Sequence, residues 1–109
     1  MRVSVIHNNS INISKPNSPE LGFGLSVASA DKIGDIWHIS RVNVHRAVRG
    51  QGLGSKMLQR IIHEVKLHEV KCNIIVHPGG YNEDPERQFA FYKKNGFVER
   101  ERGEYIYII

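Results

Sequence analysis

The sequence has 109 residues, of which 40% are hydrophobic and 24% charged, and its net charge is +4. This length fits one domain, so we expect a single folded unit over residues 1–109. The composition excludes disordered and fibrous proteins, and no stretch approaches the ~20 apolar residues of a membrane-spanning helix. The positive charge suits an anionic ligand.

Cys72 is the one cysteine, so the sequence excludes an internal disulfide and fits a reducing compartment. Because it lies in an apolar run, we expect a small buried residue rather than a nucleophile. The N-terminus lacks the apolar core of a signal peptide. We therefore expect a cytoplasmic protein.

Alternating apolar and polar residues predict antiparallel strands in the first part of the chain, at residues 2–7, 22–30 and 36–45. Residues 8–19 are rich in turn formers and contain two prolines, so we predict a loop there. Residues 30–35 resemble the turn of a hairpin.

The apolar residues of the third strand change parity along its length. Trp37 and Ile39 point one way, whereas Val42 and Val44 fall on the opposite parity. Either both faces are covered or a β-bulge near Ser40-Arg41 changes the register, and we favour the bulge.

A helix is predicted from about Leu53, with one apolar stripe and one polar face. The stripe consists of Leu53, Met57, Leu58, Ile61, Ile62 and Val65, and the polar face consists of Lys56, Gln59, Arg60, Glu64 and Lys66. Residues 70–76 are apolar on both parities, which indicates a parallel strand after a right-handed crossover.

The last third of the chain is predicted to form a loop at 77–83, a short helix at 85–95, and closing strands at 97–101 and 104–109. Asp84-Pro85 indicates the start of this helix and Asn95-Gly96 indicates its end. Arg102-Gly103 indicates the turn between the two closing strands. The predicted class is α+β: antiparallel strands, one parallel β-α-β crossover, a short helix and a final hairpin. The last strand could be interior or form the edge of a homodimer.

Three glycines, Gly50, Gly52 and Gly54, lie between the third strand and the first helix. Glycine lets backbone N–H groups approach an anion closely, and the helix N-terminus adds further unpaired N–H groups. Arg46 and Arg49 flank this glycine turn as cations. The segment therefore predicts a phosphate site, although the glycines could simply form a tight turn.

Two common phosphate motifs do not match. A P-loop needs Gly-Lys-Ser/Thr, whereas the chain has Gly54-Ser55-Lys56. A dinucleotide fingerprint needs different glycine spacing and an acidic residue after the next strand.

The segment Arg49-Gly50-Gln51-Gly52-Leu53-Gly54 instead resembles the acetyl-CoA signature of the GNAT superfamily of N-acetyltransferases. A second feature of that family, Phe-Tyr-x-Lys/Arg-x-Gly-Phe, is matched by Phe91-Tyr92-Lys93-Lys94-Asn95-Gly96-Phe97. The resemblance spans about residues 22–109. It implies a GNAT-like mixed sheet and an enzyme that moves an acetyl group from acetyl-CoA to a primary amine.

The resemblance also implies site residues. It assigns the CoA arm to Val42, Asn43 and Val44, and the pyrophosphate to Arg49, Gly50, Gln51, Gly52, Leu53, Gly54 and Ser55. Tyr92 would protonate the departing thiolate, although it could instead be a core aromatic. Direct attack is expected, because the sequence contains no evident nucleophile–base pair, and no metal is expected.

The general base is not evident, and the candidates are His38, His45, His77, Glu83 or an ordered water. Two features depart from the family. Pro85 and Gln88 stand at the positions of its Asn-x-x-Ala, and Asn82 is the candidate to replace the missing asparagine. Residues 8–21 are too few for the family's N-terminal helices, which we expect to be reduced or absent. The acceptor site would then be open, completed by a second subunit, or suited to a protein lysine or N-terminus.

Two other functions stay open. The chain could be a non-catalytic acyl-CoA-binding module, which would keep the glycine turn without turnover. A nucleic-acid-binding protein would fit the basic residues from Arg41 to Lys56, but the sequence lacks interleaved exposed aromatic residues, so nucleic acid is not the expected partner.

Overall fold

The computed structural model describes residues 1–6, 9–21, 24–68, 72–78, 85–101 and 103–109. The described part forms a seven-stranded sheet in the order β1-β2-β3-β4-β5-β7-β6 and two α-helices. The strands are β1 (Arg2–Ile6), β2 (Ser10–Pro16), β3 (Leu25–Ile33), β4 (Ile36–Asn43), β5 (Asn73–Val76), β6 (Val98–Glu101) and β7 (Glu104–Ile108). The helices are α1 (Leu53–His68) and α2 (Pro85–Lys94), and 3-10 turns lie at Pro19–Leu21 and Arg46–Val48.

The predicted α+β class and its strand directions are confirmed. β4 and β5 pair in parallel on either side of α1, and the other described strand pairs are antiparallel. The second helix ends before Gly96, whose φ of 95° suits a helix C-terminus. β7 lies between β5 and β6, so it is an interior strand of the sheet.

The predicted loop over residues 8–19 is wrong, because most of it forms β2. Ile11 and Ile13 point into the core and are 0% and 1% exposed. Small polar residues, which favour turns when read alone, occupy the alternate positions and face away from the core. Pro16 is tolerated because it is the last residue of the strand.

The hairpin between β3 and β4 is tighter than predicted. β3 continues to Ile33, which pairs with Ile36, so that the turn consists of Gly34 and Asp35. β4 also ends earlier than predicted, at Asn43. Residues 22–23, 70–71 and 84, which the sequence assigned to strand starts and a helix cap, lie outside the described residues.

The predicted bulge in β4 is confirmed. Ala30 is opposite Ile39 and Ser29 is opposite Arg41, which leaves Ser40 as the extra residue. Ser40 and Arg41 are both exposed, whereas Trp37 and Ile39 are buried. The extra residue thus returns Val42 to the core face, opposite Ala28.

Both helices pack on one face of the sheet. The buried residues of α1, which include Met57, Leu58, Ile61, Ile62 and Val65, join one core cluster with Tyr92 of α2. Glu64 was expected on the polar face, but it is 7% exposed and pairs with Arg60 at 2.9 Å. Because this i,i+4 partner accompanies it, the carboxylate is buried with a compensating charge.

The opposite face of the sheet is polar over β2, β3 and β4. Ser29 Oγ and Ser40 Oγ are 2.6 Å apart there, and Ser10 Oγ donates to Asp31 Oδ1 at 2.7 Å. No helix among the described residues packs on this face. Among the described residues of the link between β2 and β3, the only regular element is the short 3-10 turn, in agreement with the expected reduction of N-terminal helices.

Candidate active site

Strands β4 and β5 pair over only part of the length of β4. Their parallel pairing covers Ile36 with Asn73, Trp37 with Ile74 and His38 with Ile75, and it ends there. Beyond His38, β4 continues through the bulge to Asn43 and pairs only with β3 among the described strands. Between the described strands this leaves a gap on the β5 side of the end of β4, where backbone groups can meet a ligand.

The glycine turn lies immediately beyond this gap. After the 3-10 turn at Arg46–Val48, Gly50 and Gly52 adopt φ values of 81° and 78°. Such values favour glycine, and a Cβ added at either residue would meet no atom within 4 Å. The turn is therefore open beside both glycines, and α1 begins directly after it at Leu53.

Gly54 has a different role, because it allows close packing. A Cβ at Gly54 would lie 3.3 Å from Phe91 Cε1 of α2 and 3.3 Å from Val44 Cγ2. The first turn of α1 therefore contacts both the segment after β4 and the second helix.

Two side chains fix the start of the turn. His45 Nδ1 accepts hydrogen bonds from the Ala47 N–H at 3.2 Å and from Asn17 Nδ2 at 3.1 Å. Arg49 Nε donates to the Val44 carbonyl at 2.9 Å. His45, one of the candidate bases, is thus engaged in holding the turn. The His45 N–H donates to the Oγ of the buried Ser26 at 2.8 Å, a contact that the sequence did not indicate.

The other residues of the predicted CoA site lie along this path. Val42 and Val44 are half-buried and Asn43 is exposed at the end of β4. Four turn residues are exposed, and the three that follow in α1 are half-buried: Arg49, Gly50, Gln51 and Gly52, then Leu53, Gly54 and Ser55. The structure brings all ten together at one edge of the sheet.

Tyr92 lies on α2 and is 6% exposed. Its ring packs edge-on against Phe91 at 5.1 Å and against Phe97 at 5.5 Å, measured between ring centroids. Since Phe91 also packs at the Cβ position of Gly54, Tyr92 is connected to the glycine turn through one aromatic side chain. Its aromatic neighbours are those of a core residue.

Asn95 joins the two helices, and sequence reasoning assigned it only to a helix stop. Its Nδ2 donates to Ser55 Oγ at 3.1 Å and to the Phe91 carbonyl at 2.9 Å, while Gln59 Nε2 donates to its Oδ1 at 3.1 Å. Asn95 is 8% exposed. In the sequence, the signal for this network would have been the polar residues Ser55 and Gln59 of α1, which can pair with an asparagine.

The remaining candidate bases lie at different places. His38 is half-buried at the last position of β4 that pairs with β5. His77 follows β5, is exposed, and places Nε2 3.0 Å from Glu104 Oε2. Gln88 is half-buried on α2. Glu83 and Asn82 lie outside the described residues.

Comparison with known proteins identifies the fold family. A family model for the acetyltransferase (GNAT) domain matches residues 12–99. The chain belongs to the GNAT acetyltransferase family. Acyl transfer is therefore its general class of chemistry. A search of curated proteins found no significant match.

Solved structures similar to this GNAT chain share its architecture. A putative GNAT-family acetyltransferase from Desulfovibrio desulfuricans has a TM-score of 0.68 and 16% identity, with 94% of this chain and 69% of that chain covered. A Bacillus subtilis acetyltransferase in complex with CoA has a TM-score of 0.69 and 13% identity, covering 94% and 79%. The anti-CRISPR protein AcrVA5 has a TM-score of 0.62 and 15% identity, covering 88% and 97%. At these identities the likeness shows the fold alone.

The glycine turn of this GNAT chain fits a phosphate group on its own geometry. The Cβ positions of Gly50 and Gly52 lie in open space, and the N-terminus of a 16-residue helix follows. Among the described residues, no group of three His, Cys, Asp or Glu side chains could hold a metal ion. Neither described helix is long and apolar enough to cross a membrane.

Proposed function

We propose that this chain transfers an acetyl group from acetyl-CoA to a primary amine by direct attack of the amine on the thioester. One observation carries the proposal: pairing between β4 and β5 stops at His38 and Ile75, and the open glycine turn lies at the end of the same strand. A gap beside a strand end and a phosphate-binding turn next to it suit a ligand in which an extended arm is joined to a pyrophosphate.

The donor would be held mainly by backbone groups. N–H groups from Arg49 to Ser55 would bind the pyrophosphate, and the strand residues Val42 to Val44 would pair with the CoA arm. The bulge at Ser40 supports this arrangement, because it turns β4 away from regular pairing next to the gap. A backbone N–H of Val42 or Val44 would then stabilise the oxyanion.

In the reaction, the amine nitrogen forms a bond to the thioester carbon and the carbon–sulfur bond breaks. Tyr92 is proposed to give its phenol proton to the departing thiolate, and a base takes the proton from the attacking nitrogen. The contact of Phe91 with Gly54 supports a place for Tyr92 close to the glycine turn.

The acceptor is proposed to approach from the polar face of the sheet, which no described helix covers. An open approach suits a small amine as well as a protein lysine or N-terminus. The cytoplasm is part of the same proposal, since the sequence has a single cysteine, Cys72, and it is buried.

The test is an assay of CoA release from acetyl-CoA against a panel of small amines, polyamines, lysine peptides and peptides with free N-termini. We expect amine-dependent release of CoA and a matching acetylated product for at least one class. Tight binding of acetyl-CoA without transfer to any acceptor would contradict the enzyme proposal.

The burial of Tyr92 among Phe91 and Phe97 favours a second candidate, a non-catalytic acyl-CoA-binding module. In that case Tyr92 is a core aromatic, and Tyr92→Phe leaves acetyl-CoA binding unchanged with no activity to lose.

A further inference from the structure

His77 and Glu104 form a side-chain pair at the end of β5, on the β5 side of the gap described above. His77 directly follows β5 and lies two residues beyond Ile75, the last β5 residue that pairs with β4. Its Nε2 is 3.0 Å from Oε2 of Glu104, the first residue of β7. Among the described residues, His77 is the only histidine with a ring nitrogen at hydrogen-bond distance from a carboxylate. His77 therefore differs from His38 and His45, the other histidines considered as the general base.

The pair lies on the face of the sheet that no described helix covers. Val76 and Tyr105 are opposite each other in β5 and β7, and both belong to the core cluster on the helix side. Because side chains alternate along a strand, Glu104 points to the other face, and His77 contacts it there. The acceptor is proposed to approach from this same face.

Glu104 determines which nitrogen of His77 can accept a proton. An ionised carboxylate accepts hydrogen bonds and donates none, so the neutral imidazole carries its proton on Nε2 and its lone pair on Nδ1. The Arg100 guanidinium pairs with Oε1, the other oxygen of this carboxylate. The side chain of Glu104 is 12% exposed, whereas that of His77 is 62% exposed. The carboxylate is thus held within the fold, and the imidazole is accessible to a second molecule.

We propose that His77 is the general base of the acetyl transfer and that Glu104, held by Arg100, is its positioning residue. The inference rests on the proposed function, which supplies the amine and the thioester. As the amine nitrogen bonds to the thioester carbon and the carbon–sulfur bond breaks, His77 Nδ1 takes one proton from that nitrogen. Glu104 stabilises the resulting imidazolium, and the exposed ring then releases the proton to solvent.

The experiment measures formation of the acetylated amine by His77→Ala, with and without added imidazole, using the best acceptor of the panel. The change should lower kcat by about 10²-fold or more, as expected for a general base, and leave the affinity for acetyl-CoA unchanged. Imidazole should restore part of the rate in a saturable manner, because it can occupy the space beside Glu104. His63→Ala is the matched control: His63 is exposed on α1, and this variant should keep the wild-type rate.

A double variant tests the positioning residue. Glu104→Gln should lower kcat at least about tenfold, because an amide can donate to Nε2 and so favour the imidazole without a lone pair on Nδ1. Added to His77→Ala, the same change should lower the rate no further, since Glu104 acts through His77. Glu101→Gln is the control for loss of a nearby charge, because Glu101 is exposed and lies opposite Glu104 in the β6–β7 pair.

Each of three results would overturn the inference while leaving the proposed function intact. A wild-type rate in His77→Ala would remove His77 from the reaction. A loss of rate that imidazole does not restore would show that the side chain is structural. A further loss in the double variant would show that Glu104 does not act through His77. A wild-type chain that transfers no acetyl group would instead overturn the proposed function together with this inference.

Discussion

The side-chain amide of Asn95 donates a hydrogen bond to Ser55 Oγ at 3.1 Å and thereby links the end of α2 to the first turns of α1. Asn95 also binds the Phe91 carbonyl one helical turn earlier in its own helix. Tyr92 lies between these two anchored positions. The network therefore fixes the proposed proton donor relative to the glycine turn.

Replacement of Asn95 by alanine should destabilise the fold. The change removes the three side-chain bonds of a buried amide, whose partners Ser55 and Phe91 are half-buried, so we expect a loss of about 1–3 kcal/mol in the free energy of unfolding. Urea denaturation measures it. The neighbouring exposed Lys94→Ala should change stability by less than about 0.5 kcal/mol, and a similar loss in both variants would contradict the role of the network.

Gly52→Ala should weaken acetyl-CoA binding more than it weakens the fold. A Cβ there meets no protein atom within 4 Å, so the folding cost is that of φ at 78°, about 1–2 kcal/mol. The same methyl group would occupy the phosphate-binding space of the glycine turn, and we expect the affinity for acetyl-CoA to fall at least about tenfold. Gly34→Ala is the matched control: it has a φ of 63°, open surroundings and a place at the opposite edge of the sheet. Equal affinities of Gly52→Ala and Gly34→Ala for acetyl-CoA would show that the glycine turn does not bind the pyrophosphate.

Tyr92→Phe should lower the rate of acetyl transfer by about 10²-fold or more, because it removes the proposed general acid while keeping the aromatic ring. Binding of acetyl-CoA, measured by calorimetry, should stay the same. Steady-state rates with the best acceptor of the panel provide the test. A rate within a few-fold of wild type would assign Tyr92 to the core alone.

Stability should fall at alkaline pH through Tyr105. Burial, together with a hydrogen bond of 2.8 Å to Glu99 Oε2, raises the pKa of Tyr105 above its ordinary value of 10.0. As pH rises, the unfolded chain therefore loses the Tyr105 proton before the folded chain does. The contribution of Tyr105 to the free energy of unfolding is fully present below pH 10.0 and is lost as pH rises towards its raised pKa in the folded chain.

Urea unfolding of wild type and Tyr105→Phe across this alkaline range isolates the effect. The wild-type free energy of unfolding should decrease more steeply with pH than that of Tyr105→Phe. Glu99→Gln should give an intermediate slope, because it removes the carboxylate but not the burial. Parallel slopes for wild type and Tyr105→Phe would contradict the assignment.

Strong local patterns made most of the fold predictable from the sequence. The apolar stripe indicated α1, and the parity change before Val42 indicated the bulge in β4. The Asn95-Gly96 pair indicated the end of α2, and all three features are present. The glycine turn was predicted for the same reason, since only a few residue types allow its backbone conformation.

The missed features depend on tertiary contacts. Ile11 and Ile13 alternate as in a strand, but the small polar residues between them favour turns until a neighbouring strand pairs with them. The close packing of Gly54 depends on Phe91 from the second helix, and a contact across such a sequence distance leaves no periodic signal. Glu64 is buried with Arg60, its i,i+4 neighbour, although the helical pattern placed it on the polar face.

A crystal structure of the complex with acetyl-CoA tests the central claim most directly. In that structure we expect the pyrophosphate to lie on the N–H groups between Arg49 and Ser55, and the CoA arm to lie along Val42 to Val44 in the gap beside β5. Density for the ligand at any other surface, with this gap and the glycine turn empty, would contradict the account.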